Sequence, residues 1–465
     1  MLRLYDTATG TVRPLRHRTE GEVSMYVCGP TVYDLPHIGH GRANLTFDIL
    51  RRYLSFTGLR VHHVANVTDV DDNIIKRASE LGRTEPDVAA EFEDSWWESM
   101  AALGDLRPHN IPHATQYIED MVALVNDLVN KGTAYETPDG VYLEVSKVDG
   151  YGLLAQQSLD SLQAGARVEA NEDKRSPLDF ALWKKAKEGE PSWESPWGLG
   201  RPGWHTECVV MSLDLLGEGF DLHGGGQDLK FPHHENERAQ AVADDKVFAQ
   251  HWMHHGWVEV EGTKMSKSLG NFSTLPDLLS RGDARAYRLL VARAHYRSPI
   301  EVTPETLDDA EKALGRLDGL ARRFDVAELL AQTPEGYVVE GMPPAANIDP
   351  DASATFRMHM DDDLDTPGAL AGIFELVTAA HSAADAGDEE QGARSARTAA
   401  VLAAALGLSL RAADTDVDEE SARLVSERDA ARRARDFARA DALRDELVAR
   451  GWTVEDTASG TAIRR

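Results

Sequence analysis

The stretch Cys28-Gly29-Pro30-Thr31-Val32-Tyr33-Asp34-Leu35-Pro36-His37-Ile38-Gly39-His40 constrains this chain more than any other. It follows the apolar run Ser24-Met25-Tyr26-Val27 and precedes a helical pattern in which Leu45, Ile49, Leu50, Tyr53 and Leu54 share one face. The stretch is therefore a strand-to-helix turn, and open α/β folds bind ligands at such turns along the carboxyl edge of a parallel sheet. It carries a thiol, which is a soft metal ligand, and two histidines three residues apart at a helix start, a place suited to phosphate. The same residues also suit a small buried thiol and two ordinary imidazoles, so partners downstream decide between the readings.

The second β-rich run, Arg60 to Asn66, leads through Thr68-Asp69-Val70-Asp71-Asp72-Asn73 into another helix at Ile74. Strand, helix, strand, helix with short links predicts a parallel sheet with right-handed crossovers. Thr68 and Asp69 then lie beside Cys28 at one sheet edge, and the acids can also cap the following helix. Residues 85–132 read as helical, from Val88 to Leu103 and from Ala114 to Val129. Thr133–Glu136 and Gly140–Val145 read as a hairpin in an inserted subdomain, and Trp183–Trp197 as an ordered loop. Cys208 opens an apolar helical run, and Phe220–Leu229 is a strand delivering a glycine-rich turn. Pro232 suits the first turn of a helix in which His233 and Glu237 are i and i+4, on one face. Residues 251–263 read as a strand pair and Gly262–Asn271 as an exposed loop.

After Pro304 the pattern is almost wholly helical, over Ala310–Phe324, Ala369–Ala384 and Arg394–Ala405. Polar stretches near 333–350 and 411–420 read as linkers. A last helix, Ala434–Arg450, precedes a terminal hairpin.

The chain has 465 residues, more than one core supports, so about three domains are expected. It has no apolar run long enough to span a bilayer, and its start is no secretory signal. With only two cysteines a disulfide scaffold is excluded and the cytoplasm is the expected location. The net charge of −29 argues against indiscriminate nucleic-acid binding. Against that background, residues 421–465 hold ten arginines, five aspartates and three glutamates, a local basic surface. Paired with neighbouring acids on a solvated helix, those arginines would carry no such meaning.

Three groups of residues could carry chemistry. Cys28, Cys208, His233 and Glu237 form a donor set suited to zinc, although their spacing is not that of a zinc finger. Two unrelated buried cysteines are the plainer alternative. Lys264 and Lys267, on a loop with Ser266, Ser268 and Gly270, can neutralise a polyphosphate in a transition state or be simply solvated. His37 and His40 can donate to nucleotide phosphates. Attack of a carboxylate on an α-phosphate needs alignment and charge stabilisation, not a general base.

These segments together resemble class I aminoacyl-tRNA synthetases. His37-Ile38-Gly39-His40 and Lys264-Met265-Ser266-Lys267-Ser268 match that class's two signatures. Val27–Asp34, Gly203–Cys208, His223–Gly226, Phe231–Glu237, Met360–Asp363 before Thr366-Pro367, and the tail around Asp436–Ala438 are similar to the cysteinyl branch of the class. The resemblance covers essentially the whole chain.

It implies an α/β fold with a Rossmann-type parallel-sheet catalytic domain over residues 1–300, with an insertion at about 115–200 and the second-signature region at about 240–300. An α-helical bundle over 301–415 and a small α+β anticodon-binding domain over 416–465 would follow.

The same resemblance implies residue roles. Cys28, Cys208, His233 and Glu237 would hold one zinc ion per subunit, which takes the substrate thiolate as an added ligand. Gly29, Thr68, Trp204 and Asp228 would shape the amino-acid pocket, with Asp228 near the α-amino group. His37, Gly39, His40, Lys264 and Lys267 would hold ATP with its Mg²⁺, and His37, His40, Lys264 and Lys267 would stabilise the transition state as cysteinyl-adenylate forms. The cysteinyl group would pass to the terminal adenosine of tRNA(Cys). A monomer with no membrane partner is expected. Serine differs from cysteine by one atom, so metal chemistry rather than shape would supply selectivity, without an editing domain. Two positions depart from the pattern: Ile463 where the family often has Trp, and Asn73 where Lys is frequent. The rivals are a cysteine ligase with an amino-sugar acceptor, as in mycothiol biosynthesis, and a non-catalytic zinc-containing tRNA-binding protein.

Overall fold

The computed structural model describes residues 1–159, 161–162, 173–260, 263–264, 274–326, 348–412, 418–457 and 460–464. Its centre is a four-stranded parallel sheet made of β1 (Glu22–Val27), β2 (Arg60–Ala65), β3 (Leu222–Gly226) and β4 (Trp252–His255), in the spatial order β4-β3-β1-β2. Val23, Met25, Tyr26 and Leu222 are fully buried, as expected of strands covered on both faces. The expected α/β architecture is borne out. Long-range order places β1, the strand that delivers Cys28, in the interior of the sheet.

The helix Ile38–Phe56 returns from β1 with Leu45, Leu50 and Tyr53 fully buried. Its polar residues are also buried. The Arg52 Nε lies 2.8 Å from the Asp48 Oδ2, Arg288 bonds the same oxygen, and the Arg288 Nη2 reaches the Asp105 Oδ1 at 2.9 Å. Burial and the neighbouring Asp48 push the Asp105 carboxyl up to about 8. Buried ions are costly unless matched. We expect Arg288→Leu to cost about 3–5 kcal/mol, because the buried Asp48 carboxylate then keeps only the Arg52 guanidinium and Asp105 loses its Arg288 partner; equilibrium urea unfolding measures this.

Between β2 and β3 the chain makes a four-stranded antiparallel sheet from Ala134–Thr137, Gly140–Leu143, Phe180–Lys185 and Gly200–Pro202. The expected hairpin is its first half. Trp183, expected in a loop, is fully buried in the third strand. The last strand of the insertion runs directly into the helix Trp204–Leu216, so the inserted sheet delivers Cys208. Cys208, Tyr26 of β1 and Trp183 belong to one apolar cluster.

Residues 251–263 were expected to form a strand pair, but Trp252–His255 and Val258–Val260 do not pair with each other. Trp252–His255 joins β3 in parallel, whereas Val258–Val260 pairs with Ile300–Glu301 and with Thr263–Lys264. Helices Pro304–Phe324, Pro350–Asp361, Thr366–Asp385 and Glu389–Ala405 follow and share a core with the parallel sheet that runs from Leu2 to Leu408. Pro350–Asp361 was not anticipated, though Asp349 caps it and Pro350 opens it. The expected last helix, Ala434–Arg450, is Phe437–Ala449, begun by the Asp436 cap; a helix that was not anticipated, Glu419–Arg433, precedes it and ends before Arg435, whose φ is 60°. A terminal hairpin, Thr453–Thr457 with Gly460–Arg464, closes a separate small core that includes Leu424, Leu443, Leu447, Trp452 and Ile463. Among the described residues no helix is long and apolar enough to cross a membrane.

Candidate active site

The carboxyl ends of β1 and β3 and the start of the helix Ile38–Phe56 enclose a cavity of about 510 Å³. Cys28, Gly29, His37, Gly39, His40, Trp204 and Asp228 all line it. Segments up to 200 residues apart in sequence thus face one space.

Behind Cys28, which lines this cavity, three further side chains converge on its thiol. One donor atom each of Cys28, Cys208, His233 and Glu237 lies within 4.8 Å of every other. The Sγ atoms are 3.7 Å apart, the Cys208 Sγ is 3.7 Å from the His233 Nε2, and the Cys28 Sγ is 3.4 Å from the Glu237 Oε1. The His233 Nε2 and the Glu237 Oε1 are 2.8 Å apart, the i,i+4 spacing expected of them. The regular helix begins only at Glu235, so Pro232 and His233 belong to the turn before it. All but Cys28 are fully buried.

The electrostatics are those of a compact donor cluster. Burial, and then the neighbouring Cys208, push the Cys28 thiol well up. A hydrogen bond from Cys28 outweighs burial at Cys208 and brings its thiol down to about 7. Burial opposes charge on His233, but Glu237 overcomes it and raises His233 to about 10. Burial likewise opposes charge on Glu237, yet three surrounding histidines hold its carboxyl well below the usual range. Two thiols, one imidazole and one carboxylate within bonding range of a common point fit a borderline-soft divalent cation. A second grouping, Cys28, His223, His234 and Glu237, shares two of its members with the first, so the two describe one contiguous donor cluster.

Sequence reasoning assigned no role to the shell beneath. The Glu237 Oε2 is 2.5 Å from the His223 Nε2, and the His205 Nδ1 is 2.8 Å from the His233 Nδ1. Such contacts orient a ligand ring or carboxylate. Asn66 was missed as well. Its Oδ1 accepts the Gly29 N–H at 2.9 Å and lies 3.7 Å from the Cys208 Sγ. A Cβ on Gly29 would stand 1.7 Å from the Asn66 carbonyl oxygen, so only glycine fits there. The available signal for Asn66 was its place at the end of β2, next to Cys28 at the end of β1.

Thr68 is buried, pairs with Thr31 in an isolated parallel bridge, and donates its hydroxyl to the Glu207 Oε2 at 2.6 Å. Trp204 is 36% exposed, lines the cavity and stacks on His233 at 4.0 Å between ring centres. Asp71 caps the following helix through the Asn73 amide, as expected of that acidic run.

At the other side of the cavity the first signature forms a reciprocal cap. The His40 N–H donates to the His37 Nδ1 and the His37 N–H donates to the His40 Nδ1, each at 3.2 Å, with the rings stacked 3.5 Å apart. A backbone amide can only donate, so each neutral ring carries its proton on Nε2. The cap therefore turns both imidazoles into N–H donors at a helix N-terminus, an arrangement for anions. Lys264 lies in a short strand opposite Glu259, with only its backbone described, and Lys267 lies outside the described residues.

Comparison with known proteins agrees with these features. Residues 14–312 match the family described as tRNA synthetases class I (C) catalytic domain, residues 355–411 the DALR domain, and residues 414–464 the cysteinyl-tRNA ligase anticodon binding domain. The chain is 44% identical over 480 residues to a cysteine–tRNA ligase of Geobacter metallireducens, covering 99% of each chain. It is also 44% identical to a cysteine–tRNA ligase of Halorhodospira halophila, covering 100% of each. Among solved structures it resembles Mycobacterium tuberculosis methionyl-tRNA synthetase in complex with methionyl-adenylate, with TM-score 0.56, 17% identity, and coverage of 83% of this chain and 90% of that one. That likeness bears on the fold alone.

Proposed function

The chain belongs to the cysteine–tRNA ligase family of class I aminoacyl-tRNA synthetases, and from that premise we propose how its residues divide the reaction. Cys28, Cys208, His233 and Glu237 hold one zinc ion. The observation that carries this assignment is the convergence of two thiols, an imidazole and a carboxylate from three separate segments within 4.8 Å. Bound there, zinc supplies a soft Lewis acid for which a thiolate is a far better ligand than a hydroxyl.

The remaining steps fall to the chain itself. Thr68, fixed by Glu207, and Gly29, fixed by Asn66, shape the floor on which the amino acid lies, with Trp204 as its wall. Asp228 meets the α-ammonium. His37 and His40 donate their Nε2 protons to the phosphates of ATP, which enters with Mg²⁺, and Gly39 lets the nucleotide approach the helix start. Lys264 and Lys267 neutralise the pyrophosphate as it leaves. No group need remove a proton from the attacking carboxylate, so the rate comes from alignment and charge stabilisation. The adenylate then yields its cysteinyl group to the terminal adenosine of tRNA(Cys).

The domain division at about 300 and 415 is part of the proposal, supported by the ranges of the three family matches. So are a monomeric state and a cytoplasmic location. The anticodon-binding match at residues 414–464 favours a tRNA acceptor over an amino sugar.

Aminoacylation of total tRNA with labelled cysteine and labelled serine is the direct test. We expect cysteine to be charged and serine rejected by a factor on the order of 10⁴, as for sites whose buried groups lose their partner with the wrong substrate. Serine charging within about 100-fold of cysteine would remove the metal from its proposed role, that being the discrimination shape alone provides.

A further inference from the structure

The β4 strand ends in a histidine that neither signature includes. His255 is buried, 6% exposed, and lines the cavity beside Gly226 and Asp228. Its Nδ1 lies 2.9 Å from the Gly256 carbonyl oxygen. A carbonyl only accepts, so Nδ1 carries the ring proton and Nε2 is a bare lone pair. Burial, and next the Arg42 guanidinium, hold His255 down at about 4, so the ring stays neutral across the working range. Among the described residues that buried Nε2 has no hydrogen-bond partner. An orphaned buried acceptor costs free energy unless something supplies a donor.

Position along the sheet edge indicates the donor's source. Cys28 and Thr68 extend beyond β1 and β2, and the donor cluster and Trp204 lie with them, so the amino-acid side of the cavity faces that half. Beyond β3 stand Gly226 and Asp228, and beyond them, at the end of β4, His255. A Cβ on Gly226 would lie 2.4 Å from the Asp228 Oδ1 and 3.4 Å from the His255 Nε2. The missing side chain thus leaves a small space with Asp228 at its amino-acid side and the His255 acceptor at its far side. The nucleotide must extend away from the thiol end, and its adenosine half reaches this corner.

We propose that His255 is a nucleoside-binding residue whose Nε2 accepts a hydrogen bond from an O–H or N–H donor of the adenosine half of ATP. The proposal rests on the reading of the cavity as the site of cysteine activation.

The test is cysteine-dependent ATP–pyrophosphate exchange with the full chain. His255→Phe keeps a ring against Phe47, which sits 6.3 Å away edge-on, and removes the acceptor. We expect its KM for ATP to rise about 10-fold, the loss of one buried hydrogen bond, with the KM for cysteine unchanged. His255→Gln, whose amide oxygen can reach the Nε2 position, should recover most of the loss. Three ATP analogues locate the donor: 2′-deoxy-ATP, 3′-deoxy-ATP and the triphosphate of purine riboside, which lacks the exocyclic amine. One of them should lose about 10-fold with the unaltered enzyme and nothing further with His255→Phe. An unchanged KM for ATP in a folded His255→Phe protein overturns the proposal. So does a rise confined to the KM for cysteine, or an unchanged penalty for all three analogues. If the unaltered protein shows no cysteine-dependent exchange, the reading of the cavity fails instead.

Discussion

Glu237→Ala is expected to lose zinc and cysteine activation together. The Glu237 carboxylate is within 3.4 Å of the Cys28 thiol and 2.8 Å of the His233 ring, and its second oxygen holds His223. Removing it deletes one proposed ligand and frees two imidazoles that it orients. Loss of a partner that only orients a ligand costs about 10–100-fold in metal affinity, and loss of a ligand costs more. We therefore expect zinc, measured by atomic spectroscopy on the purified protein, to fall well below one per chain. The kcat/KM for cysteine in pyrophosphate exchange should fall at least 100-fold by the same argument. Glu237→Gln preserves shape and a hydrogen-bonding oxygen, so it separates charge from packing. If Glu237→Ala retains full zinc stoichiometry, Glu237 is not a ligand, whatever happens to activity.

The donor cluster shows why some of the site could be read in advance and some could not. The turn from Cys28 to His40 was legible because an apolar strand, a thiol and a helical repeat follow one another within thirty residues. The pairing of His233 with Glu237 was legible from their i,i+4 separation, although His233 stands in the turn before the regular helix rather than on its face. Cys208 was different. It comes from 180 residues beyond Cys28, through an inserted sheet whose last strand aims the helix Trp204–Leu216 at β1. No local spacing encodes that meeting; donor chemistry suggested joining the two sulfurs, and the resemblance implied it.

Strand pairing failed for a related reason. The parallel partner of Trp252–His255 is Leu222–Gly226, a helix away, whereas local reading favours a hairpin with the next β-rich run. The shell of His205, His223 and Asn66 escaped assignment because its role depends on which neighbour each ring or amide faces. The last helix was read as starting at Ala434, three residues early, because alanine and arginine are both good helix formers; the Asp436 cap was the available sign.

A chain ending at Ala412 should form cysteinyl-adenylate normally and charge tRNA poorly. The physical basis is the separation of cores. The apolar cluster under the parallel sheet continues through the bundle helices as far as Leu408, and Arg411 is tied to the bundle by its amide on the Asp318 Oδ1 at 2.8 Å. A cut after Ala412 leaves all of this in place. Residues 418–457 and 460–464 pack on their own cluster, with the Trp452 indole donating to the Ser421 hydroxyl at 2.8 Å and Thr461 donating to Asp429. Several of their arginines are spent internally, as in the Arg423–Glu427 and Arg450–Asp418 pairs. Basic excess alone therefore does not make the tail an RNA surface; the anticodon-binding match at 414–464 does most to support that reading. Single-stranded bases held by stacking contribute about 1–3 kcal/mol each. Loss of contacts to a three-base anticodon should then lower the kcat/KM for tRNA by about 100-fold or more, while pyrophosphate exchange keeps its rate and its KM values. Normal charging by the shortened chain would mean that the recognition of tRNA resides elsewhere, and the proposed boundary near 415 would lose its functional meaning.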